Sequence, residues 1–287
     1  MFENEKNLQV VGKAKGRVDS LEKVTGRALY AADLRFPGLL QCKVKRSPHA
    51  KARIVRIETR KAAKLSGVRA ILTGAELDYR LGLYVVDKRI LARDVVRHFG
   101  EAVVAVAAET IEIAQQAVDL IEVEYEVLPA VLDPVEAFKK DAPLVHPDLG
   151  EYSYIEAVFS PKGGTNIANH TKLRKGDVDK GFKEADYIVE REYTNPSVQH
   201  VPLETHVAIG QWRPKDQVTL WTSAQSPFTV RNLFCHAFGL PRRDVRVIVP
   251  YIGGGFGGKA GIGLEPLVAC LSKKAGGRPV RLIATRE

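Results

Sequence analysis

Glycine occupies five of the six positions 253–258 near the end of this 287-residue sequence, in the stretch Gly253–Lys259 (GGGFGGK). Because glycine has no Cβ atom, such a run exposes main-chain N–H groups to a ligand that comes close. An anion is the group that these donors bind best. The stretch therefore predicts a loop that holds an anionic ligand, and a glycine-rich bend without a ligand is the alternative.

Two nucleotide-binding patterns match this loop in part. The P-loop pattern G-x-x-x-x-G-K fits 253–259, but it needs a Ser or Thr after the lysine to hold magnesium, and Ala260 stands there. The dinucleotide pattern needs a helix that begins at its third glycine, here Gly258, whereas the next helical pattern covers about 264–275. A nicotinamide-binding domain, with Glu287 as its ribose-binding acid, stays an alternative.

Two histidines and a carboxylate occur within seven residues, at His200, Glu204 and His206. On a strand these positions share one face, which makes a non-haem metal site one interpretation. No second carboxylate or open-site motif accompanies them. We therefore predict that these side chains make structural hydrogen bonds, and we expect no metal ligands in this chain.

The elements that must position these residues are mixed helices and strands. In the first half, apolar alternation predicts strands over 40–45, 52–58 and 68–72 and a short helix over 62–65. A β-α-β unit is predicted over 102–128. Its helix is capped by Thr110 and buries one face, formed by Ile113, Ala117 and Leu120.

Prolines and glycines break the pattern over 131–172, which predicts a linker on the surface. It separates a first domain, 1–130, from a second domain, 173–287, that looks incomplete. Strand-like runs in the second domain are predicted at 187–193, 207–212, 218–222 and 245–249, with helices at about 227–238 and 264–275.

Composition is that of an average globular protein, with 45% hydrophobic and 27% charged residues. The net charge is +9, but the basic residues are dispersed and lack interleaved aromatics, so we expect a solvated surface and no nucleic-acid partner. The cysteines, Cys42, Cys235 and Cys270, form no C-x-x-C pair and are predicted to be buried thiols. No run reaches the ~18 apolar residues of a membrane span, and Met1–Lys6 shows no leader, so a cytoplasmic protein is expected.

Several segments, taken in order, resemble the molybdopterin-binding subunits of the xanthine dehydrogenase family, which includes aldehyde oxidases and 4-hydroxybenzoyl-CoA reductases. The resemblance covers nearly the whole chain as the front portion of such a subunit. The matching segments are 16–33, Arg93–Arg97 with Gly100-Glu101, 122–129, Leu203-Glu204, Trp221–Gln225, Gly253–Lys259 and Arg278–Arg281.

The resemblance implies an α+β fold, with an aldehyde oxidase/xanthine dehydrogenase a/b hammerhead domain followed by the first part of the molybdenum-cofactor-binding domain. It implies molybdenum held by molybdopterin, in the cytosine dinucleotide form. Water would be the oxygen source, and electrons would leave through iron–sulfur clusters and FAD on partner subunits. The metal cofactor would carry the difficult chemistry.

Site residues follow from the same resemblance. The glutamine that matches Gln225 hydrogen-bonds an oxygen ligand of molybdenum, and an amide suits this role because it donates without adding charge. The main chain at Phe256 and Gly257 lies against the metal centre. Together with Gly254 and Gly255, these are the predicted cofactor-binding residues.

Two departures limit what the resemblance implies. The family's general base is a glutamate close to the end of the subunit, outside this chain, so the catalytic residue is unknown here. A second polypeptide is expected to supply the missing C-terminal half. Ala260 stands where purine-oxidising members carry an acid, which disfavours purines.

The predicted function is therefore part of a multi-subunit molybdenum oxidoreductase. It would hydroxylate an aromatic, heterocyclic or aldehyde-type carbon of a small molecule, and it would be inactive without the missing half. An isolated non-catalytic fragment, or a half-subunit that acts only in assembly, is the first alternative, and the nicotinamide-binding domain is the second.

Overall fold

The computed structural model describes residues 8–286 and shows an α+β chain. The predictions placed on Met1–Lys6 and Glu287 lie outside these residues. The strands are β1 (Leu40–Arg46), β2 (Ala52–Glu58), β3 (Val68–Thr73), β4 (Arg80–Leu81), β5 (Lys88–Arg89), β6 (Val95–Val96), β7 (Ala102–Ala108), β8 (Glu122–Val127), β9 (Val207–Arg213), β10 (Gln217–Thr222), β11 (Val245–Ile248) and β12 (Val280–Ile283). The α-helices are α1 (Ser20–Val24), α2 (Arg60–Ala63), α3 (Ile111–Asp119), α4 (Pro134–Ala137), α5 (Val178–Glu184), α6 (Pro227–Phe238) and α7 (Glu265–Lys274).

A seven-stranded sheet, in the order β11-β10-β9-β12-β1-β7-β3, joins the two halves of the sequence. The junction is the parallel pair β1–β12, in which Leu40 pairs with Val280 and Gln41 with Arg281. Helix α7 covers this junction, and its Val268 and Leu271 share one buried cluster with Leu40 and Val280. The two predicted domains therefore share a sheet and a hydrophobic core.

A second, three-stranded sheet has the order β6-β2-β8. Helix α3 lies between β7 and β8 in sequence, and Thr110 caps it by accepting a hydrogen bond from the N–H of Ile113, as predicted. The predicted β-α-β unit is nevertheless wrong as a sheet motif. Strand β7 pairs with β1 and β3, while β8 pairs antiparallel with β2 in the other sheet.

The buried face of α3 also differs from the prediction. Ala114, Ala117 and Val118 are buried, whereas Ile113 and Leu120 are only partly buried. Small side chains on this face let the helix pack closely on β1 and β7 of the large sheet, and Val118 also reaches the cluster around Val104 and Val106.

Helix α6 follows from local signals that the sequence shows directly. Ser226 accepts a hydrogen bond from the N–H of Thr229, Pro227 occupies the first turn, and Gly239 ends the helix in the left-handed conformation. The predicted bounds of this helix are confirmed. The short helix expected at 62–65 instead spans Arg60–Ala63.

The strand predicted at 187–193 is absent from the structure, and this prediction is wrong for the chain as described. Tyr187, Val189 and Tyr193 are 91%, 78% and 85% exposed, and their main chain pairs with no other strand. Apolar alternation favours a strand only where a neighbour supplies hydrogen bonds and a surface to pack on. No helix within residues 8–286 is long and apolar enough to cross a membrane.

Candidate functional site

Two parallel strands bring the glycine loop and Gln225 together. Strand β10 pairs in parallel with β11, from Val218 with Val245 to Trp221 with Ile248. Parallel neighbours end at the same edge of a sheet, so the segments that follow them meet there. Gln225 follows β10, and the loop Gly253–Lys259 follows β11.

The amide of Gln225 is fixed by the loop main chain. Its Oε1 accepts hydrogen bonds from the N–H of Gly257 at 3.0 Å and of Lys259 at 3.2 Å. The main-chain N–H of Gln225 donates to the carbonyl oxygen of Lys259 at 2.8 Å. Because two main-chain donors occupy the amide oxygen, the orientation of the side chain is set, and Nε2 is the end available to a ligand.

The loop needs glycine at two of its positions, at Gly255 because of close packing and at Gly257 because of its backbone conformation. A Cβ atom on Gly255 would lie 2.5 Å from Cδ and Oε1 of Gln225, so any side chain there would displace the amide. Gly257 has φ +89°, a conformation that L side chains rarely adopt. The loop can therefore touch Gln225 only with bare main chain.

Phe256 interrupts the glycines and adopts a left-handed conformation itself, with φ 50°. A left-handed main chain costs a bulky residue roughly 1–2 kcal/mol. Phe256 is 73% exposed, so its side chain does not fill the core. Strained residues of this kind cluster at binding and active sites, which makes the loop a candidate functional segment.

Glu204 and Lys259 form a buried ion pair beneath the loop. Lys259 Nζ lies 2.9 Å from Glu204 Oε2, and the side chains are 0% and 10% exposed. Glu204 Oε2 also accepts from the N–H of Gly253 at 2.9 Å, and the N–H of Glu204 donates to the Gly253 carbonyl at 3.1 Å. The prediction of structural hydrogen bonds is confirmed for Glu204. The partner, Lys259, was not found from the sequence.

The two histidines lie at the same loop. His206 Nε2 is 3.0 Å from the carbonyl oxygen of Gly258, and a Cβ atom on Gly258 would lie 3.0 Å from the ring of His200. Within residues 8–286, no three or more His, Cys, Asp or Glu side chains are grouped so that they could hold a metal ion. His206 therefore joins the side chains that hold the loop main chain.

Unsatisfied hydrogen-bonding groups at the loop indicate what it can bind. Within the described part of the chain, no acceptor takes the main-chain N–H groups of Gly254, Gly255 or Phe256. The buried Oε1 of Glu204 also has no donor among these residues. These N–H groups and the Nε2 of Gln225 are all hydrogen-bond donors, and donors of this kind bind oxygen-rich or anionic ligand groups.

A cavity of about 540 Å³ lies beside the loop. Its walls include Ser223, Gly258 and Lys259 from the second half and Arg46 and Lys88 from the first half. The volume is in the range of small-molecule sites. Both halves of the sequence therefore line space next to the loop.

Two of the alternatives drawn from loop patterns lose their support here. Helix α7 begins at Glu265, well after Gly258, so no helix N-terminus stands where a dinucleotide pyrophosphate would need it. Ala260 donates its N–H to the carbonyl of Gly257 and has no hydroxyl to offer a nucleotide-bound magnesium ion. The loop fits neither nucleotide-binding pattern.

The three cysteines are buried thiols, as predicted. Burial raises the pKa of the Cys42 and Cys270 thiols to about 12 and also raises that of Cys235. A raised pKa keeps a thiol protonated and unreactive. These residues belong to the core and take no part in the site.

Two family models match successive parts of the chain. Residues 25–129 match the aldehyde oxidase and xanthine dehydrogenase a/b hammerhead domain, and residues 159–287 match the molybdopterin cofactor-binding domain. The chain belongs to the aldehyde oxidase and xanthine dehydrogenase family. The predicted fold class, a hammerhead domain followed by part of the molybdenum-cofactor domain, is confirmed.

Members of this family with similar sequences or structures are longer than the chain. The large molybdopterin subunit of nicotinate dehydrogenase from Eubacterium barkeri is 35% identical over 98% of the chain, which covers 63% of that subunit. Quinoline 2-oxidoreductase from Pseudomonas putida 86 superposes with a TM-score of 0.81 and 32% identity. The match covers 96% of the chain and 34% of the quinoline enzyme's chain. Reconstituted CO dehydrogenase from Oligotropha carboxidovorans gives a TM-score of 0.83 and 31% identity, covering 96% and 35%. The chain spans between about one third and two thirds of the length of these family members.

Proposed function

We propose that the chain is the part of a molybdenum hydroxylase that holds the molybdopterin cofactor through Gln225 and the main chain of Gly254, Gly255, Phe256 and Gly257. The observation that carries the proposal is the orientation of Gln225. Its Oε1 is occupied by the loop N–H groups, which leaves Nε2 as the donor. The unpaired loop N–H groups supply further donors beside it.

Molybdenum held by molybdopterin supplies two-electron redox chemistry in which water is the source of oxygen. The residues of this chain do three things around it. Gln225 donates a hydrogen bond without adding charge. The loop holds that amide in one orientation. Because Gly255 has no side chain, its main chain can lie directly against Gln225. The acid–base residue is assigned to the remaining part of the subunit.

The remainder of the subunit is proposed because the chain spans only part of the family members, and the other partners are proposed from the family resemblance. The remainder of the molybdopterin subunit, an iron–sulfur subunit and a FAD subunit complete the assembly, and the cofactor is the cytosine dinucleotide form. The substrate class is an electron-poor carbon of a small aromatic or heterocyclic ring, with an aldehyde as the second choice. The names of the nicotinate and quinoline enzymes support the ring substrates, and Ala260 argues against purines.

A glutamate substitution at Gln225 tests the proposal. Gln225→Glu keeps an oxygen to accept from Gly257 and Lys259 but removes the Nε2 donor. In the complex purified from its native host, we expect molybdenum and pterin to be retained. Oxidation of nicotinate or quinoline with a dye acceptor should fall on the order of 100-fold, the cost of losing one positioned donor.

Gln217→Glu is the matched control, because Gln217 is exposed at the opposite end of β10. It should leave metal content and turnover unchanged. A wild-type complex that contains neither molybdenum nor pterin would overturn the proposal and favour a non-catalytic fragment or assembly partner.

A further inference from the structure

The glycine loop is held at both ends by one buried ion pair. Glu204 contacts the first loop residue, Gly253, through both its main chain and its carboxylate. The ammonium group of Lys259, the last loop residue, donates a hydrogen bond to the same carboxylate oxygen at 2.9 Å. One side-chain oxygen therefore connects the two ends of the loop. We name this pair, Glu204 and Lys259, the loop clamp.

The loop clamp stabilises the fold inefficiently compared with an apolar pair, if stability is its only role. Desolvating two charges costs free energy that their attraction need not return, and an apolar pair of similar size often gives an equally stable protein. Glu204 Oε1 is buried and has no donor among the described residues, so even the carboxylate is only half satisfied. An ion pair kept under these conditions suits a role in fixing geometry.

The geometry that it fixes is the one Gln225 needs. Lys259 is bound at two places: its main chain exchanges hydrogen bonds with Gln225, and its side chain reaches Glu204. If the ion pair between Lys259 and Glu204 were broken, the main chain at the end of the loop would lose the contact that sets its position. The Gln225 amide accepts from that same main chain, so its orientation depends on the loop clamp.

We propose that Glu204 and Lys259 are positioning residues, which hold the loop main chain and the Gln225 amide in the arrangement that binds the cofactor. The inference rests on the proposed function of the site. Neither side chain is required to touch the cofactor, because both act through the main chain between them.

The experiment uses the complex purified from its native host and compares Lys259→Met, Lys259→Arg and the double change Glu204→Gln/Lys259→Met with wild type. Molybdenum and pterin per chain, the Mo(V) electron paramagnetic resonance spectrum and the thermal midpoint are measured for each. Lys259→Met should lower the cofactor content about 10-fold or more, the usual cost of losing a group that orients a metal-site ligand.

The double change separates positioning from stability. Removing both charges leaves no unpaired buried ion, so the thermal midpoint should recover toward wild type while the cofactor content stays low. Lys259→Arg keeps the charge and should restore part of the cofactor. The residual Mo(V) spectrum of the variants should differ from that of wild type, because the Gln225 amide has moved.

Two controls decide the interpretation. Phe234→Leu, on the buried face of α6, should lower the thermal midpoint but keep the cofactor. Lys273→Met, the same chemical change at an exposed pair with Asp216, should alter neither. The inference is overturned if Lys259→Met keeps the wild-type cofactor content and Mo(V) spectrum. A wild-type complex without molybdenum would instead overturn the proposed function on which it rests.

Discussion

The glycine loop at 253–259 and the apolar run at 187–193 lie in the same half of the sequence, but their surroundings differ. The loop has little side-chain surface of its own, yet Gln225, Glu204 and His206 all hold its main chain. The apolar run has large side chains, and they lie in solvent. In these two segments, a packed structure depends on partners elsewhere in the described residues more than on how apolar the segment is.

The first test of this comparison is a pair of alanine substitutions, one in each region's kind of surroundings. Ile209 in β9 is fully buried, so Ile209→Ala should reduce the free energy of unfolding by about 2–5 kcal/mol. Val189→Ala, in the exposed run, should change it by no more than about 0.5 kcal/mol. The change in the urea midpoint of each variant, measured on the purified complex, ranks the two effects. A large loss at Val189 would show that another part of the assembly covers the run, which would restrict the contrast to the chain alone.

The second test concerns the loop itself. In Gly255→Ala the new Cβ atom would lie 2.5 Å from Cδ and Oε1 and 2.7 Å from Cγ of Gln225, which must break the hydrogen bonds of its amide to the loop. Because Gln225 is exposed, its side chain has solvent to move into, and the thermal midpoint should change little. Displacing the amide should reduce turnover on the order of 100-fold. Gly261→Ala is the control, since a Cβ atom there meets nothing within 4 Å. Equal turnover in the two variants would contradict the role given to Gln225.

Limited proteolysis distinguishes the two regions without any substitution. Trypsin should cut first after Arg191, in the exposed run, because its main chain is held by no neighbouring strand. The bond after Lys259 should resist, since that side chain is buried in the loop clamp. Mass spectrometry of early digests identifies the sites. Early cleavage after Lys259 would mean that the loop opens readily.

The smallest expected signal comes from the thiols, which all lie in the packed regions. With the pKa values of Cys42 and Cys270 raised to about 12, almost no thiolate is present at pH 8, and an aromatic disulfide reagent should label neither residue in the folded chain. Reactivity should increase only as the pH rises toward those values, or on unfolding in urea. Rapid labelling at pH 8 would show that the core around β1 and α7 opens.

Local features were the most predictable part of the fold. The bounds of α6 follow from Ser226, Pro227 and Gly239, which act on the main chain within a few residues. Strands β1 and β2 followed equally well from alternation. The pairing of β1 with β12 could not be predicted, because it joins residues 240 positions apart (280 − 40) and no local pattern records the partner.

The same distinction applies to the site. The loop and Gln225 were predicted as a pair through the family resemblance, and the structure brings them together. Lys259 enters the predictions only as the last residue of the glycine loop, so its pairing with Glu204 is missing from them. An acid and a lysine 55 residues apart carry no shared periodicity. The signal available was a lysine directly after five glycines, where a charge needs a partner.

The junction between β1 and β12 has a consequence for synthesis of the protein. At about 5–20 residues per second, a ribosome takes on the order of tens of seconds to proceed from β1 to β12. During that interval the edge of β1 that will receive Val280 and Arg281 has unpaired main-chain groups. The β1 edge of the nascent chain therefore stays open to pairing with other strands until β12 has been synthesised.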